Sequence, residues 1–517
     1  MLKMVDGTGI IGVDMVCPLG GTVSPPQPPN YDKVEVEGVG SLVLPNSLKA
    51  PLERVELIGN STQGENPAPD NPQEIKSAGR KSKNLLNLQK QPDVKEIYLG
   101  WKVSDGRNVV LSVKDKGNNA DITGCYLGLS RTGGSSDGVV WAVNNGSVAA
   151  KEVVSKNQYV SVFPSNETTV RKLLERFDVQ VEYGNNATDY EPYGYLIDLK
   201  IAGENLLSNK SADWQIGKQT SWSGYPDYPV DANVPGISNA LFFMNVKPST
   251  KYTFVNKEND KLWVNRIIEC EGKKGVRNHA LYQNESLNYN KYTFITKDRT
   301  TSIIFQIKKI DNTELLSTDI ESNKIMLVEG EVNESTPYEP YTEQSVQIAL
   351  DEPLRGIGEY NDTITKDGVV RKIKKIVLDG SEDEKWALSN DPLNVTTNRF
   401  VIRMNVINAY YKMLTMCNKM AWKHMNQVDV VGQSTHGVNF YITLPKDLAP
   451  DLQTFRTWLS QNPLTVDYVL AEPVTELLPE SVQAQLSALH SYNGTTHITV
   501  DSGEVPCGIK LTYRKEK

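Results

Sequence analysis

A seven-residue phrase occurs twice, as TDYEPYG at 188–194 and as TPYEPYT at 336–342. Each copy follows an Asn-Leu-Leu opening, Asn84-Leu85-Leu86 before the first and Asn205-Leu206-Leu207 before the second. Opening and closing bracket two tandem segments, 106 residues from Asn84 to Tyr190 and 133 from Asn205 to Tyr338, lengths that suit one β-sandwich each. Two copies are too few, and each is too long, for a solenoid whose repeats share a core with their neighbours. The phrase reads as an exit from a sandwich: VQVE at 179–182 and IMLVE at 325–329 supply a closing strand, and a glycine turn ends it. The tyrosines are expected to pack the exit against the sandwich, and proline, lacking an N–H, discourages further ladder pairing.

A chain of 517 residues suggests three or four domains at roughly 150 residues each. With 23% charged residues, 39% hydrophobic residues and a net charge of -8, the composition is that of mildly acidic soluble protein. It argues against wide nucleic-acid binding. The apolar N-terminus resembles a secretion signal, but Asp6 and Asp14 interrupt the h-region such a signal needs. No run of about 18 apolar residues occurs, so membrane insertion is not expected. Five cysteines, Cys17, Cys125, Cys270, Cys417 and Cys507, lie far apart without zinc spacing, and free buried thiols are expected.

The Pro/Gly-rich stretch PLGGTVSPPQPPNY at 18–31 closes an N-terminal piece, 1–35, and a second turn-rich stretch, 59–79, makes 36–83 an extended connector. Period-two alternation marks strands in both repeated segments, at VVLSV 109–113, VQVE 179–182 and SIIFQIKK 302–309, the last with Ile303, Phe305 and Ile307 on one face. The predicted domains are 84–200, 201–350 and a β-rich C-terminal unit, 351–517. In that unit FVIRMNV 400–406, VNFYITL 438–444 and LTVDYVL 464–470 alternate, and two short helices are expected near 451–461 and 479–490. The predicted fold class is therefore mostly β: tandem β-sandwiches plus a β-rich C-terminal domain with short helices.

Catalytic chemistry finds little support. The five histidines are scattered, and no P-loop, dinucleotide fingerprint, HExxH or EF-hand loop is present, so no cofactor or metal is expected. Glycoside hydrolysis needs only two carboxylates brought together by folding, which 63 acidic residues leave open. The binding candidates are richer. SADWQIGKQTSWSGYPDYP at 211–229 carries Trp222, Tyr225, Asp227 and Tyr228 among turn formers, and LSRTGGSSDGVVW at 129–141 offers Arg131, Asp137 and Trp141. A pyranose presents C–H groups that pack on an indole or phenol face, while charged and amide side chains bond its hydroxyls. Trp214 and Trp222 also suit core positions, and Tyr225 and Tyr228, beside prolines, suit a loop.

Together GNSTQGENPAPDNPQEIKSAG at 59–79, the two openings, the two closings and TFRTWLSQNPLTVDYVLAEPVTELLP at 454–479 resemble the minor structural and tail-fibre-like proteins of tailed phages and prophages of Gram-positive bacteria. The resemblance covers roughly residues 36–500. It implies a virion protein of the tail tip, baseplate or fibre that meets the host surface, its two repeated segments being jelly-roll modules similar to carbohydrate-binding modules. It implies host polysaccharide as one partner, other tail proteins held through the N-terminal region as another, and a homotrimer. A purely structural tail or decoration protein is the alternative, and a polysaccharide depolymerase a third.

Overall fold

The computed structural model describes residues 5–6, 9–10, 30–88, 93–95, 98–133, 138–216, 239–257, 262–271, 279–284, 291–332, 337–389 and 394–517. The fold class is the expected one: tandem jelly-roll sandwiches with a β-rich C-terminal part and few, short helices. One sheet organises the rest. Its strands are β1 (Tyr31–Val39), β2 (Ser41–Ser47), β3 (Glu53–Ile58), β4 (Arg80–Lys81), β5 (Tyr195–Ala202), β6 (Glu343–Leu350), β7 (Thr363–Thr365), β8 (Gly368–Leu378), β9 (Thr415–Cys417), β10 (Leu464–Glu476), β11 (Gly494–Asp501) and β12 (Gly508–Glu516). They run in the order β6-β5-β11-β2-β12-β3-β7-β8-β10-β9, with β1 also on β12 and β4 also on β5.

This hub corrects the predicted domain plan. Residues 36–83 are not a connector, because β1, β2 and β3 are ladder partners of C-terminal strands; Val34 pairs with Tyr513 and Leu57 with Ile509. The alternation of Val34 with Val36 and of Leu42 with Leu44 turns one face of these strands toward a shared core of Leu57, Ile197, Ile348, Ile498 and Leu511. Nor do the sandwiches keep the strands that follow their exit phrases, since β5 and β6 belong to the hub.

Each other unit is an insertion between hub strands that pair with each other. The first sandwich lies between β4 and β5, where Lys81 faces Tyr195. The second lies between β5 and β6, which pair from Tyr195↔Leu350 to Ala202↔Glu343. A third module lies between β8 and β10. Its sheet joins strands 387–389, 397–403, 439–445 and 432–436. Helix Leu452–Gln461 closes its core: Asp451 caps it, accepting from Thr454 N–H at 2.8 Å, and Phe455 stacks on Phe400 with centroids 3.9 Å apart.

Both sandwiches share one plan. A three-stranded sheet (109–115 flanked by 152–155 and 177–183; 251–256 flanked by 291–295 and 325–329) faces a larger sheet across an apolar core. Ile303, Phe305 and Ile307 point into the second core as expected, but Ile304 and Gln306 are buried too, so that strand is covered on both faces. A helix precedes each closing strand, Glu167–Arg176 and Ser317–Ser322. The first starts where Asn166 accepts from Thr169 N–H at 2.8 Å.

The openings and exit phrases meet through a buried carboxamide. In the first copy Asn84 Nδ2 donates to the carbonyls of Val179 and Glu191, both at 3.2 Å. Its Oδ1 accepts from the N–H groups of Leu86 at 3.0 Å and Val181 at 3.1 Å. In the second copy Asn205 donates to Ile325 and Glu339, both at 3.1 Å, and accepts from Leu207 at 3.0 Å and Leu327 at 3.1 Å. Asn84 is 5% and Asn205 1% exposed, so these four bonds exhaust the amide's ordinary capacity away from water. The exit phrase thus ends a sandwich because its glutamate carbonyl is tied to the residue that opens it.

The tyrosines of the phrase behave differently in the two copies. Tyr341 is buried, its hydroxyl donates to Glu343, and burial with that carboxylate pushes the phenol well up. Tyr338 packs on Val255, Met326, Val328 and Val332. Tyr190 and Tyr193 are exposed instead. Under the first phrase the strand presents Gln180 and Glu182, which hold the exit by polar bonds: Glu191 N–H donates to Gln180 at 2.7 Å and Thr188 N–H to Glu182 at 2.7 Å. Rings are not needed there.

Where hub and third module join, charges are buried. Asp362 accepts from the backbone N–H groups of Arg355, Lys372 and Ile373 at 3.0, 2.7 and 3.0 Å. Asp467 meets Arg355 Nε at 3.5 Å, and burial pushes its carboxyl up to about 6. All four described cysteines are free and buried.

Replacing Asn205 with Ala should remove four bonds and strand buried backbone groups, costing about 3 kcal/mol in chemical denaturation; Asn84→Ala should cost a similar amount. Because Asp467 holds its proton more tightly folded than unfolded, its contribution to stability is greatest below about pH 4 and falls as pH rises to about 6. Asp467→Asn should therefore melt higher than the parent at about pH 7.5, with the gain vanishing near pH 4.

Candidate functional site

The larger sheet of the first sandwich turns Leu99, Trp101, Leu127, Leu129, Val160 and Val162 into the core. Strict alternation then places Tyr98, Gly100 and Lys102, Tyr126, Gly128 and Ser130, and Tyr159, Ser161 and Phe163 on the opposite face. Register aligns them across the strands: Tyr126 faces Phe163, Gly128 faces both Ser161 and Trp141, and Gly100 faces Ser161. The outcome is a row of rings beside a row of small residues.

The rings touch in sequence. Trp141 meets Tyr126 edge-on at 5.5 Å, Tyr126 meets Phe163 at 5.4 Å, and Phe163 meets Tyr98 at 5.1 Å. Tyr98 is buried, while Tyr126, Phe163 and Trp141 are half-buried and keep part of their surface open. A Cβ on Gly128 would lie 2.9 Å from the Trp141 ring and 2.6 Å from the Val140 carbonyl, so the missing side chain is what lets the indole lie down on the sheet. Ser130 and Ser161 bond each other at 2.6 Å beneath this face.

The loop from 131 to 139 joins the two strands that carry Tyr126 and Trp141. Asn157 pins its ends, donating to the carbonyls of Leu129 at 2.9 Å and Gly138 at 3.2 Å, and Gly133 N–H donates to Ser130 Oγ at 2.9 Å. Arg131 stands exposed at the start of that loop. Of the predicted residues, Arg131 thus follows the strand that carries Tyr126, and Trp141 lies in the neighbouring strand Val140–Asn144. Asp137, Trp222, Tyr225, Asp227 and Tyr228 lie outside the described residues. Trp214 is a core residue, donating from Nε1 to the Ser208 carbonyl at 2.7 Å.

Tyr98, Tyr126 and Phe163 were not among the sequence candidates. Their signal is legible in YLGW at 98–101, YLGLS at 126–130 and YVSVF at 159–163, where aromatic and small residues share one face and aliphatic residues the other. The matching face of the second sandwich differs: Leu241, Ile268, Cys270 and Ile304 form a buried apolar cluster there. Among the described residues no group of three or more His, Cys, Asp or Glu side chains is placed to hold a metal ion.

No family model matches this chain, and no curated protein does. Among solved structures, that of the infectious bursal disease virus Gt strain aligns with a TM-score of 0.10 at 9% identity, covering 96% of this chain and 85% of that one. The subviral particle of the same virus's VP2 aligns with a TM-score of 0.11 at 8% identity, covering 96% and 84%. Likeness at that level carries no argument about what this chain does.

Gly128→Ala should force the Trp141 ring off the sheet at a cost of about 1–3 kcal/mol, read as a lower melting temperature and a changed near-ultraviolet circular dichroism signal.

Proposed function

We propose that this chain is a component of a phage virion, a tail-fibre, tail-tip or baseplate protein that contacts the host cell and binds cell-wall or surface polysaccharide. The observation that carries the binding reading is the ring row Trp141–Tyr126–Phe163–Tyr98, and Arg131 stands exposed after the strand that carries Tyr126. Rings fixed in a sheet lose little freedom when a sugar packs on them, and an exposed guanidinium adds donors for hydroxyl or acidic groups. The resemblance of the repeated openings and closings to tail proteins supplies the setting. In that setting the protein attaches through its N-terminal region, assembles as a trimer, and gains avidity from several weak sites.

The sealed outer face of the second sandwich favours a spacer role for that module. Among the described residues its outer cluster is buried Leu241, Ile268, Cys270 and Ile304 with Phe243 packed against it, not a row of touching rings.

The test is retention of the full chain on purified cell walls of Gram-positive bacteria, with and without soluble wall polysaccharide as competitor. Retention that the polysaccharide competes away is expected, with Trp141→Ala weakening it about tenfold or more while far-ultraviolet circular dichroism shows the chain still folded at the assay temperature. A chain that no wall preparation retains overturns the binding reading.

A further inference from the structure

The third module carries a second aromatic surface, built differently. Tyr410 and Tyr411 are 55% and 53% exposed. Single exposed rings need no account, but these two are held from behind. His436 meets both edge-on, its centroid 4.7 Å from that of Tyr410 and 5.4 Å from that of Tyr411. His424 stacks on Tyr411 at 5.1 Å with 8° between the planes, and Trp422 meets His424 edge-on at 6.4 Å.

The backbone is fixed as well. Gly437 N–H donates to the Ala409 carbonyl at 3.0 Å, and Thr435 Oγ1 donates to the Lys412 carbonyl at 3.2 Å. Tyr411 sits at a φ of 60°, in the left-handed region that a ring-bearing residue occupies only where its surroundings impose it. Trp422 Nε1 and His436 Nδ1 are buried with no hydrogen-bond partner among the described residues. A strained tyrosine and two unsatisfied ring nitrogens in one cluster are poor choices for stability alone, and such costs gather at sites of function.

We infer that the Tyr410–Tyr411–His424–His436 cluster is a saccharide site separate from the first sandwich, taking an uncharged pyranose. The two phenol faces supply stacking area for its C–H groups. Asn426 N–H donates to His424 Nδ1 at 3.3 Å, which leaves the neutral ring's proton on Nε2 as a donor at the edge of the platform. The nearby Lys412 ammonium is matched by Glu359 at 2.7 Å, so charge beside the platform is balanced and suits a neutral sugar better than an acidic one. Exposed Met413, Val428, Val430 and Val431 in the same module would instead enlarge a protein contact, and the test separates the two.

Saturation-transfer NMR of the full chain carrying Trp141→Ala, with the methyl glycosides of glucose, galactose, N-acetylglucosamine and rhamnose as probes, isolates this site from the first. Transfer to at least one glycoside is expected, and adding Tyr410→Ala with Tyr411→Asn should weaken its binding about tenfold or more. Asn accepts the left-handed backbone, so the melting temperature should hold; Tyr411→Asn alone decides the matter should the double change unfold the chain. No transfer in the Trp141→Ala chain, or transfer that the tyrosine changes leave intact, overturns the inference. So does loss of an oligomer by light scattering without any sugar signal, which would assign the surface to protein contact. Wall retention that depends on Trp141 but not on these tyrosines would leave the first-sandwich reading standing while this one falls.

Discussion

Two buried carboxamides fix where each sandwich begins and ends. Asparagine suits the task because one side chain offers two donors and an oxygen with two lone pairs, and Asn84 and Asn205 each use all four. Aspartate would lose the donors, and an aliphatic residue would leave the strand carbonyls and N–H groups unpaired in the dark. Since one donor reaches the closing strand and the other the exit phrase, the chain must leave each sandwich beside the point where it entered. Entry and exit side by side are the condition for hanging a sandwich from two neighbouring strands.

The hub exploits that condition. β5 and β6 pair along their full length although the whole second sandwich lies between them, and β8 and β10 pair across the third module. With the ends of an insertion already held together, its length adds only a slowly growing closure term to the hub's own stability. Each sandwich also has its own core, separate from that of the hub, whereas the third module shares its core with the hub strands β8, β9 and β10 through Leu378, Cys417, Leu464 and Val466. Changes inside the first sandwich and changes inside the second should accordingly add in their effect on stability, the exception being side chains at the mouths such as Arg80, which bridges Glu191 at 2.8 Å and Asp198 at 3.3 Å.

How much of this the sequence discloses follows from what is local. SIIFQIKK becomes a strand over the residues its alternation predicts, and Asp451 starts the helix its spacing predicts. Residues 167–176 become a helix against a run of Thr168, Thr169 and Val170, whose β-branches favour strand; Asn166 as a cap was the available clue. The hub was illegible for a different reason. Val34 and Leu44 show alternation, but nothing near them says that their partners lie at Tyr513 and Thr496, at the far end of the chain. Likewise Tyr411, His424 and His436 look scattered until the 432–436 strand pairs with 439–445 and turns His436 toward the tyrosines.

The two copies show how one clip can serve unlike surfaces. Asn84 fixes Val179 and Val181, so the residues turned toward the exit phrase are Gln180 and Glu182, and Thr188 and Glu191 answer them with hydrogen bonds. Asn205 fixes Ile325 and Leu327 in the same way, yet the outward residues are Met326 and Val328, and Tyr338 answers them by packing. Backbone geometry is kept while the chemistry above it is exchanged from polar to apolar. The larger sheets diverge in parallel, with a partly open ring row in the first copy and a buried aliphatic cluster in the second. A duplicated binding module under one constraint would keep its rings in both copies. Among the described residues the second copy shows Phe243 beside aliphatic side chains where the first shows its ring row, so the repeat's common requirement lies in the clip and the hub, and the faces are free to specialise.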